Sequence, residues 1–386
     1  MKITFISNYF NHHQKFVSDV LNDLCCQQYL FVETTQMREE RKKLGYEQKK
    51  IPSYVVSSYM MDKKKDYLFE EVGKSDVVIW GSCSNRWIKQ RLKDGTLTFA
   101  YSERIMKSKS LLKFVVRAIK YNIKFKKNQN NQYLLCSSAY TSKDYNAIGL
   151  FKGKCYKWGY FPECKKYSDI QELLNKKKKS EILWCGRFLE WKHPDDVISV
   201  AIKLKKSGYL FHISMIGEGE LKEKLNKLVK DNELEKYVDI IDPQSPQKIR
   251  EYMENSGIYL CTSDYHEGWG AVLNEAMNSG CAVIASHAMG ATPFLIKNRI
   301  NGYVYESGNI DELSTYIKIL LDSSEKQEKI GKLAYETIVK EWNSEIAAKR
   351  LFDLSNNILA GKDVSNLYKT GPCSEAKIIK NDWYKN

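Results

Sequence analysis

Short apolar, β-rich runs alternate with segments of helical period through the first half of the chain. Candidate strands are Ile3–Ile6, Tyr29–Val32, Tyr54–Val56, Val77–Trp80, Leu97–Tyr101, Tyr133–Cys136 and Cys155–Trp158. Phe16, Val17, Val20, Leu21 and Leu24 recur at the spacing of one helix face between the first two. Such alternation predicts βαβ units on a parallel sheet. A composition break follows at Phe161-Pro162-Glu163, then polar residues, then the lysine run 176–179. A like-charge run neither buries nor stays helical cheaply, so residues 166–180 are expected to form a Lys-rich linker.

After the linker the alternation restarts. Ile182–Trp184, Phe211–Ile216, Val238–Ile241, Ile258–Cys261 and Ala282–Ala285 are expected strands, with helices at roughly 194–206, 220–230, 246–255 and 271–280. Two doubly wound α/β halves are therefore expected, at 1–165 and 181–350, with a tail over 351–386 returning to the first. Ligands of such sheets bind at the carboxyl ends of the strands, here in a cleft between the halves.

With 386 residues, 43% hydrophobic and 28% charged, a disordered, collagenous or membrane-embedded chain is excluded. The ten cysteines are scattered without a Cys-x-x-Cys pair, which favours reduced core thiols, a cytoplasmic compartment and no zinc site. Met1 is followed almost at once by the strand-like Lys2–Ile6, so no leader and no membrane span is expected. The net charge of +14 is uneven: residues 1–150 hold 26 Lys and Arg against 14 Asp and Glu, and 101–150 hold ten against two. Such a patch seeks an anionic partner, whether lipid headgroups, nucleic acid or a phosphorylated substrate, or is a solvated face with none.

The candidate chemistry lies in the second half. Asp264 to Gly280 contains a Gly-rich turn directly before an apolar-periodic helix, placing free backbone amides where an anion can meet them. Glu267 lies in the turn and Glu275 one turn into the helix; paired carboxylates of this kind accept hydrogen bonds from sugar hydroxyls. Gly186 and Arg187, with Lys192, follow the first strand after the linker, and the two cations are suited to a diphosphate. Gly217 and Gly219 end another strand, where they admit a base or ribose close to the backbone. Three such loops on successive strands open on one sheet edge.

These motifs, in this order over about residues 180–350, resemble the donor half of the family 4 retaining glycosyltransferases of GT-B fold. The resemblance implies two Rossmann-like domains facing across a cleft. It implies that Arg187 and Lys192 hold the diphosphate of a sugar nucleotide, that Glu275 holds the ribose and Glu267 the donor sugar, and that Gly268 and the amides of Trp269, Gly270 and Ala271 approach phosphate or sugar. No metal and no cofactor is then required, and the substrate is a UDP-sugar or a GDP-sugar. Phe294 stands where many relatives carry a glutamate. The first half resembles the family less closely: Asn8, His12 and His13 replace a glycine pair after the first strand, either contacting donor or acceptor or flanking a helix cap at Asn11. Glu103 occupies the place of a histidine near the donor sugar, as base, as sugar ligand, or as a charge complementing a helix dipole. Trp158 to Pro162 looks like the family's crossing between domains.

Within the basic stretch, Ile105, Leu112, Val115, Val116, Ile119 and Ile123 fall on one helical stripe, with Lys107, Lys109, Lys113, Arg117, Lys120, Lys124, Lys126 and Lys127 around it. This is either a core-packed helix with a solvated rim or a surface resting on anionic lipid through Lys113, Arg117, Lys120 and Lys124. The expected function is transfer of a hexose or N-acetylhexosamine to a lipid-linked saccharide at the inner face of the cell membrane, in capsule, O-antigen or exopolysaccharide assembly. The alternative is a non-catalytic sugar-nucleotide-binding subunit or sensor. Nucleic acid is not an expected partner, because basic strands interleaved with aromatics are missing.

Overall fold

The computed structural model describes residues 1–39, 50–60, 65–107, 110–125, 129–380 and 382–385, in two compact units. Lys109, Lys126 and Lys127 lie outside the described residues. Unit 1 contains Met1–Glu163 and Trp342–Lys380, and unit 2 contains Cys164–Glu341 with 382–385.

Unit 1 is built on β1 (Ile3–Ser7), β2 (Tyr29–Glu33), β3 (Val55–Ser57), β4 (Val77–Trp80), β5 (Thr98–Ser102), β6 (Gln132–Cys136) and β7 (Cys155–Lys157). They are joined through α1 (His12–Leu24), α2 (Lys65–Gly73), α3 (Lys89–Asp94), α4 (Leu111–Phe125) and α5 (Thr141–Ala147). The seven strands pair in parallel in the order β3-β2-β1-β4-β5-β6-β7. β1 and β4 are buried along their whole length, as strands covered on both faces must be, and this is why they read as continuous apolar runs.

Unit 2 opens with α6 (Ile170–Lys176) and β8 (Lys178–Cys185), where a charged linker was expected. The run is accommodated because Lys178 stands exposed and the other three lysines find acceptors. Lys176 pairs with Glu172, and Lys179 with Glu328 at 2.8 Å. Lys177 is buried and donates to the carbonyls of Met253 at 2.6 Å and Ser256 at 2.9 Å. The unit continues through α7 (Pro194–Lys206), β9 (His212–Ile216), α8 (Lys222–Asp231), β10 (Val238–Ile241), α9 (Pro246–Asn255), β11 (Ser256–Cys261), α10 (Ala271–Asn278), β12 (Ala282–Ser286), α11 (Thr292–Leu295), β13 (Tyr303–Tyr305), α12 (Ile310–Leu321) and α13 (Ser324–Lys340). Its six strands are parallel in the order β10-β9-β8-β11-β12-β13. The short edge strand β13 was not expected, since three residues carry no period.

The chain then returns to unit 1 as α14 (Ser344–Leu359), which packs against α1. Its buried Ala347, Ala348, Leu351 and Leu354 draw residues 344–350 out of the second unit, where they were expected, and into the first. In each sheet the strand order reverses once, between β1 and β4 and between β8 and β11. The loops leaving those four strands are the natural places for a ligand.

Candidate functional site

In unit 2 the loop after β8 carries Gly186 and exposed Arg187, then a short turn from Glu190 to Lys192. Trp191 lies beside both cations: the Arg187 guanidinium is 5.8 Å from its ring centre and the Lys192 ammonium 4.9 Å. The loop is fixed to its neighbours by buried bonds. Thr262 Oγ1 donates to the Lys192 carbonyl at 2.6 Å and accepts from Trp184 Nε1 at 2.8 Å, while the Asp264 amide donates to the Trp191 carbonyl at 3.0 Å. Lys192 Nζ donates to Glu267 Oε2, which also accepts from Ser263 at 3.3 Å. Arg187 has no carboxylate partner among the described residues.

The glycines of these loops are required by contact. A Cβ on Gly217 would strike the carbonyl oxygen of Gly186, so the two loops touch backbone to backbone. Gly270 has φ +89°, and a Cβ there would come within 2.6 Å of the Met289 sulfur. Gly270 stands at the N-cap of α10 without any side-chain cap; the Leu273 amide donates to its carbonyl at 3.0 Å, which leaves the amides of Ala271 and Val272 to a ligand. Trp269 is fully buried with its Nε1 donating to Asn274 at 2.8 Å, so only its backbone faces the loop. Glu275 makes no side-chain hydrogen bond or ion pair among the described residues, and burial raises its carboxyl above the ordinary range against the pull of Arg250. Two cations, uncapped amides and an unpaired carboxylate together suit an anionic, hydroxyl-bearing ligand.

The same loops hold a group that sequence reasoning missed. His193, Asp195 and Asp196 bring ligand atoms within 4.8 Å of one another at the start of α7. The imidazole is already engaged, with Nε2 at 3.3 Å from Asp264 Oδ2, and that bond raises its pKa.

In unit 1 Asn11 accepts from the His13 amide at 2.9 Å while Gln14 accepts from the Asn11 amide at 3.2 Å, a complete capping box for α1. Asn8 holds the next loop through its carbonyl, which accepts from the Thr34 and Thr35 amides. His12 is mostly buried, which pushes its pKa down to about 4 and keeps it neutral. The His13 ring stacks on Tyr160 at 5.1 Å, and Tyr160 Oη donates to Glu103 Oε1 at 2.6 Å. His13 and Glu103 are thus brought together through Tyr160, which the sequence marked only as part of the crossing from Trp158 to Pro162. The second oxygen of Glu103 accepts from Lys107 at 3.3 Å.

α4 departs from the core-packed alternative. Leu112, Ile119 and Ile123 are 74%, 56% and 75% exposed, and Val115 and Val116 are exposed too; Ile105 alone of the stripe is buried. Arg117, Lys120 and Lys124 line a cavity of unit 1 instead of standing beside that stripe, whereas Lys113 does not line it. Among the described residues no helix is long and apolar enough to cross a membrane.

Residues 166–337 match the family described as Glycosyl transferases group 1. A poly(ribitol-phosphate) alpha-N-acetylglucosaminyltransferase of Staphylococcus aureus (strain COL) is 30% identical over 175 residues, 45% of this chain and 34% of that one. The amylovoran biosynthesis glycosyltransferase AmsK of Erwinia amylovora is 26% identical over 178 residues, 45% of this chain and 44% of that one. The chain thus spans about a third to a half of the length of the curated relatives it matches. Among solved structures, Anabaena HepE in complex with UDP superposes with a TM-score of 0.68 at 14% identity, over 94% of this chain and 100% of that one. TarM superposes at 0.67 and 12% identity, over 92% and 98%. At these identities the likeness is one of fold.

Proposed function

We propose, from a chain of GT-B fold that carries a glycosyl transferases group 1 domain, that it is a retaining glycosyltransferase using a nucleoside-diphosphate sugar. One observation carries the reading: Arg187, Lys192 and the uncapped start of α10 gather positive potential at the reversal of the unit 2 strand order, with the unpaired Glu275 beside it. In this reading Arg187 and Lys192 bind the diphosphate, helix amides add to the stabilisation of the leaving group, and Glu275 accepts from the ribose hydroxyls. Glu267 meets the donor sugar from its place against Lys192. The departing diphosphate, its charge spread over those donors, takes the proton of the incoming hydroxyl. Two cations at the diphosphate leave no task for a divalent ion, and turnover is expected to survive chelation. UDP is favoured as the nucleotide, and the UDP complex of HepE supports this.

The acceptor in this reading is a lipid-linked saccharide, and the product serves surface polysaccharide assembly. The exposed apolar face of α4, on a strongly basic segment, supports a peripheral site on the anionic inner face of the cell membrane. AmsK and the poly(ribitol-phosphate) enzyme support the polysaccharide setting through their names. The deciding experiment incubates the chain with a panel of UDP- and GDP-sugars and scores release of nucleoside diphosphate. Release from one sugar nucleotide, dependent on Arg187, is the expected result; tight binding without turnover of any would return the chain to the non-catalytic alternative.

A further inference from the structure

At the C-terminal edge of the unit 1 sheet, the ends of β4 and β5 and one face of α4 enclose a cavity of about 750 Å³. The helix is inside out with respect to the usual rule. Arg117, Lys120, Tyr121, Lys124 and Phe125, spaced as one helical face, line the cavity, while its apolar positions Leu112, Val116, Ile119 and Ile123 face outward and are exposed. Other cations of the cavity wall are compensated: Arg104 pairs with Asp144 at 3.3 Å and Lys107 with Glu103. Arg117, Lys120 and Lys124 have no carboxylate partner among the described residues. Arg117 Nη1 is buried without a hydrogen-bond partner, and the Lys124 ammonium lies 3.9 Å from the centre of the Trp80 ring. Burial lowers the Lys124 pKa to about 8, the mark of a cation set where solvent no longer pays its hydration.

Three uncompensated cations on successive turns repel one another, and a neutral saccharide gives no reason to gather them. A phosphate or diphosphate does: it takes bidentate bonds from a guanidinium and point contacts from two ammonium groups. Ser82, Ser102 and Ser137 add hydroxyls to the same wall. We infer that this cavity binds the phosphate or diphosphate group of the acceptor, through Arg117, Lys120 and Lys124, while the acceptor's hydrocarbon runs with the bilayer along the outward face of α4. The inference rests on the reading of the chain as a transferase with a lipid-linked acceptor, and names the part of that acceptor which the protein grips.

The test titrates inorganic pyrophosphate into the full chain by calorimetry, in an Arg187→Ala background that weakens the other cationic site and leaves the buried Lys192–Glu267 pair in place. Replacing Arg117, Lys120 and Lys124 together by Gln is expected to weaken pyrophosphate by about tenfold or more, and Lys113→Gln to leave it unchanged. Lys120→Gln alone, at an exposed side chain that the fold does not need, is expected to show part of the loss. Farnesyl diphosphate is expected to bind more tightly than pyrophosphate, and to lose that advantage when Leu112, Ile119 and Ile123 become Ser. Pyrophosphate affinity indifferent to the three substitutions would overturn the site. Equal displacement of pyrophosphate by phosphatidylglycerol vesicles would overturn the acceptor as its source, assigning the cavity to bulk lipid headgroups. Pyrophosphate binding through these residues in a chain that turns over no sugar nucleotide would support the site and overturn the transferase reading alone.

Discussion

Lys192 Nζ donates to Glu267 Oε2, tying the loop after β8 to the loop after β11, with only 14% and 13% of the two side chains exposed. Each group compensates the other's burial, so removing one strands its partner. Lys192→Met is expected to destabilise unit 2 by about 3 kcal/mol, and Lys192→Met with Glu267→Gln by clearly less. Urea unfolding of the parent, both single variants and the double variant measures the coupling, and additive losses would show that the contact is incidental.

Arg187 stands in contrast, exposed and with no carboxylate to leave behind. Arg187→Ala is expected to leave thermal unfolding unchanged and to lower kcat/KM for sugar-nucleotide cleavage by about two to three orders of magnitude. Arg187→Lys restores charge without the bidentate fork and is expected to recover only part of that loss. Steady-state kinetics at matched stability decides; equal efficiency in Arg187→Ala and parent rules out the diphosphate contact.

Glu275 is expected to trade stability for binding. Burial raises its carboxyl, so the folded chain holds that proton more tightly than the unfolded one. Stability therefore falls as pH rises from the ordinary glutamate range through the raised pKa, and the cost persists above it. Glu275→Gln is expected to raise the melting temperature at pH 7, with the gain shrinking on acidification, and to weaken a bare nucleoside diphosphate by about tenfold. Scanning calorimetry at two pH values and titration with UDP read the two halves separately. A variant that binds UDP as the parent does would remove Glu275 from the ribose.

The opposite sign applies to His12. Its pKa falls from 6.5 to about 4 on burial, so the folded chain holds fewer protons than the unfolded one between those values. Its contribution is complete above pH 6.5 and is lost as pH drops through the folded value, by up to about 3 kcal/mol. His12→Gln is expected to flatten that limb of the unfolding free energy of unit 1 between pH 7 and pH 4. An unaltered acid limb would show that His12 titrates in solvent.

The glycine-bearing loops of unit 2 were legible because what shapes them is local. Gly217 and Gly219 mark backbone approaches, and Gly270 a positive φ, that other residues do not permit, and each precedes a helix whose period is plain. The role of Tyr160 was not legible: it lies in the crossing stretch from Trp158 to Pro162, and its link between His13 and Glu103 exists only once the sheet is assembled. Lys177 was misread because charge in a run signals solvent, whereas a strand start and a helix end supplied buried carbonyls from distant sequence. For α4 the amphipathic period was visible, but period alone does not say which face turns inward. Trp80 and Tyr121 offer ring faces to Lys124, so the basic side packs against the sheet and the apolar side is left outside.

The return of α14 to α1 has a consequence for synthesis on the ribosome. All of unit 2 but its last few residues, 382–385, is translated between the two helices that close unit 1. Unit 2 can therefore complete its core while α1 still lacks its partner, and the aromatic contact between Tyr167 and Tyr335, at 5.6 Å, fastens its own two ends together in the meantime. The helix pair of the first unit thus closes only after residues 164–341 of the second have been made. Until α14 emerges, its nascent form shows two apolar surfaces, the uncovered side of α1 and the outer face of α4, and only the first is later hidden by the protein itself.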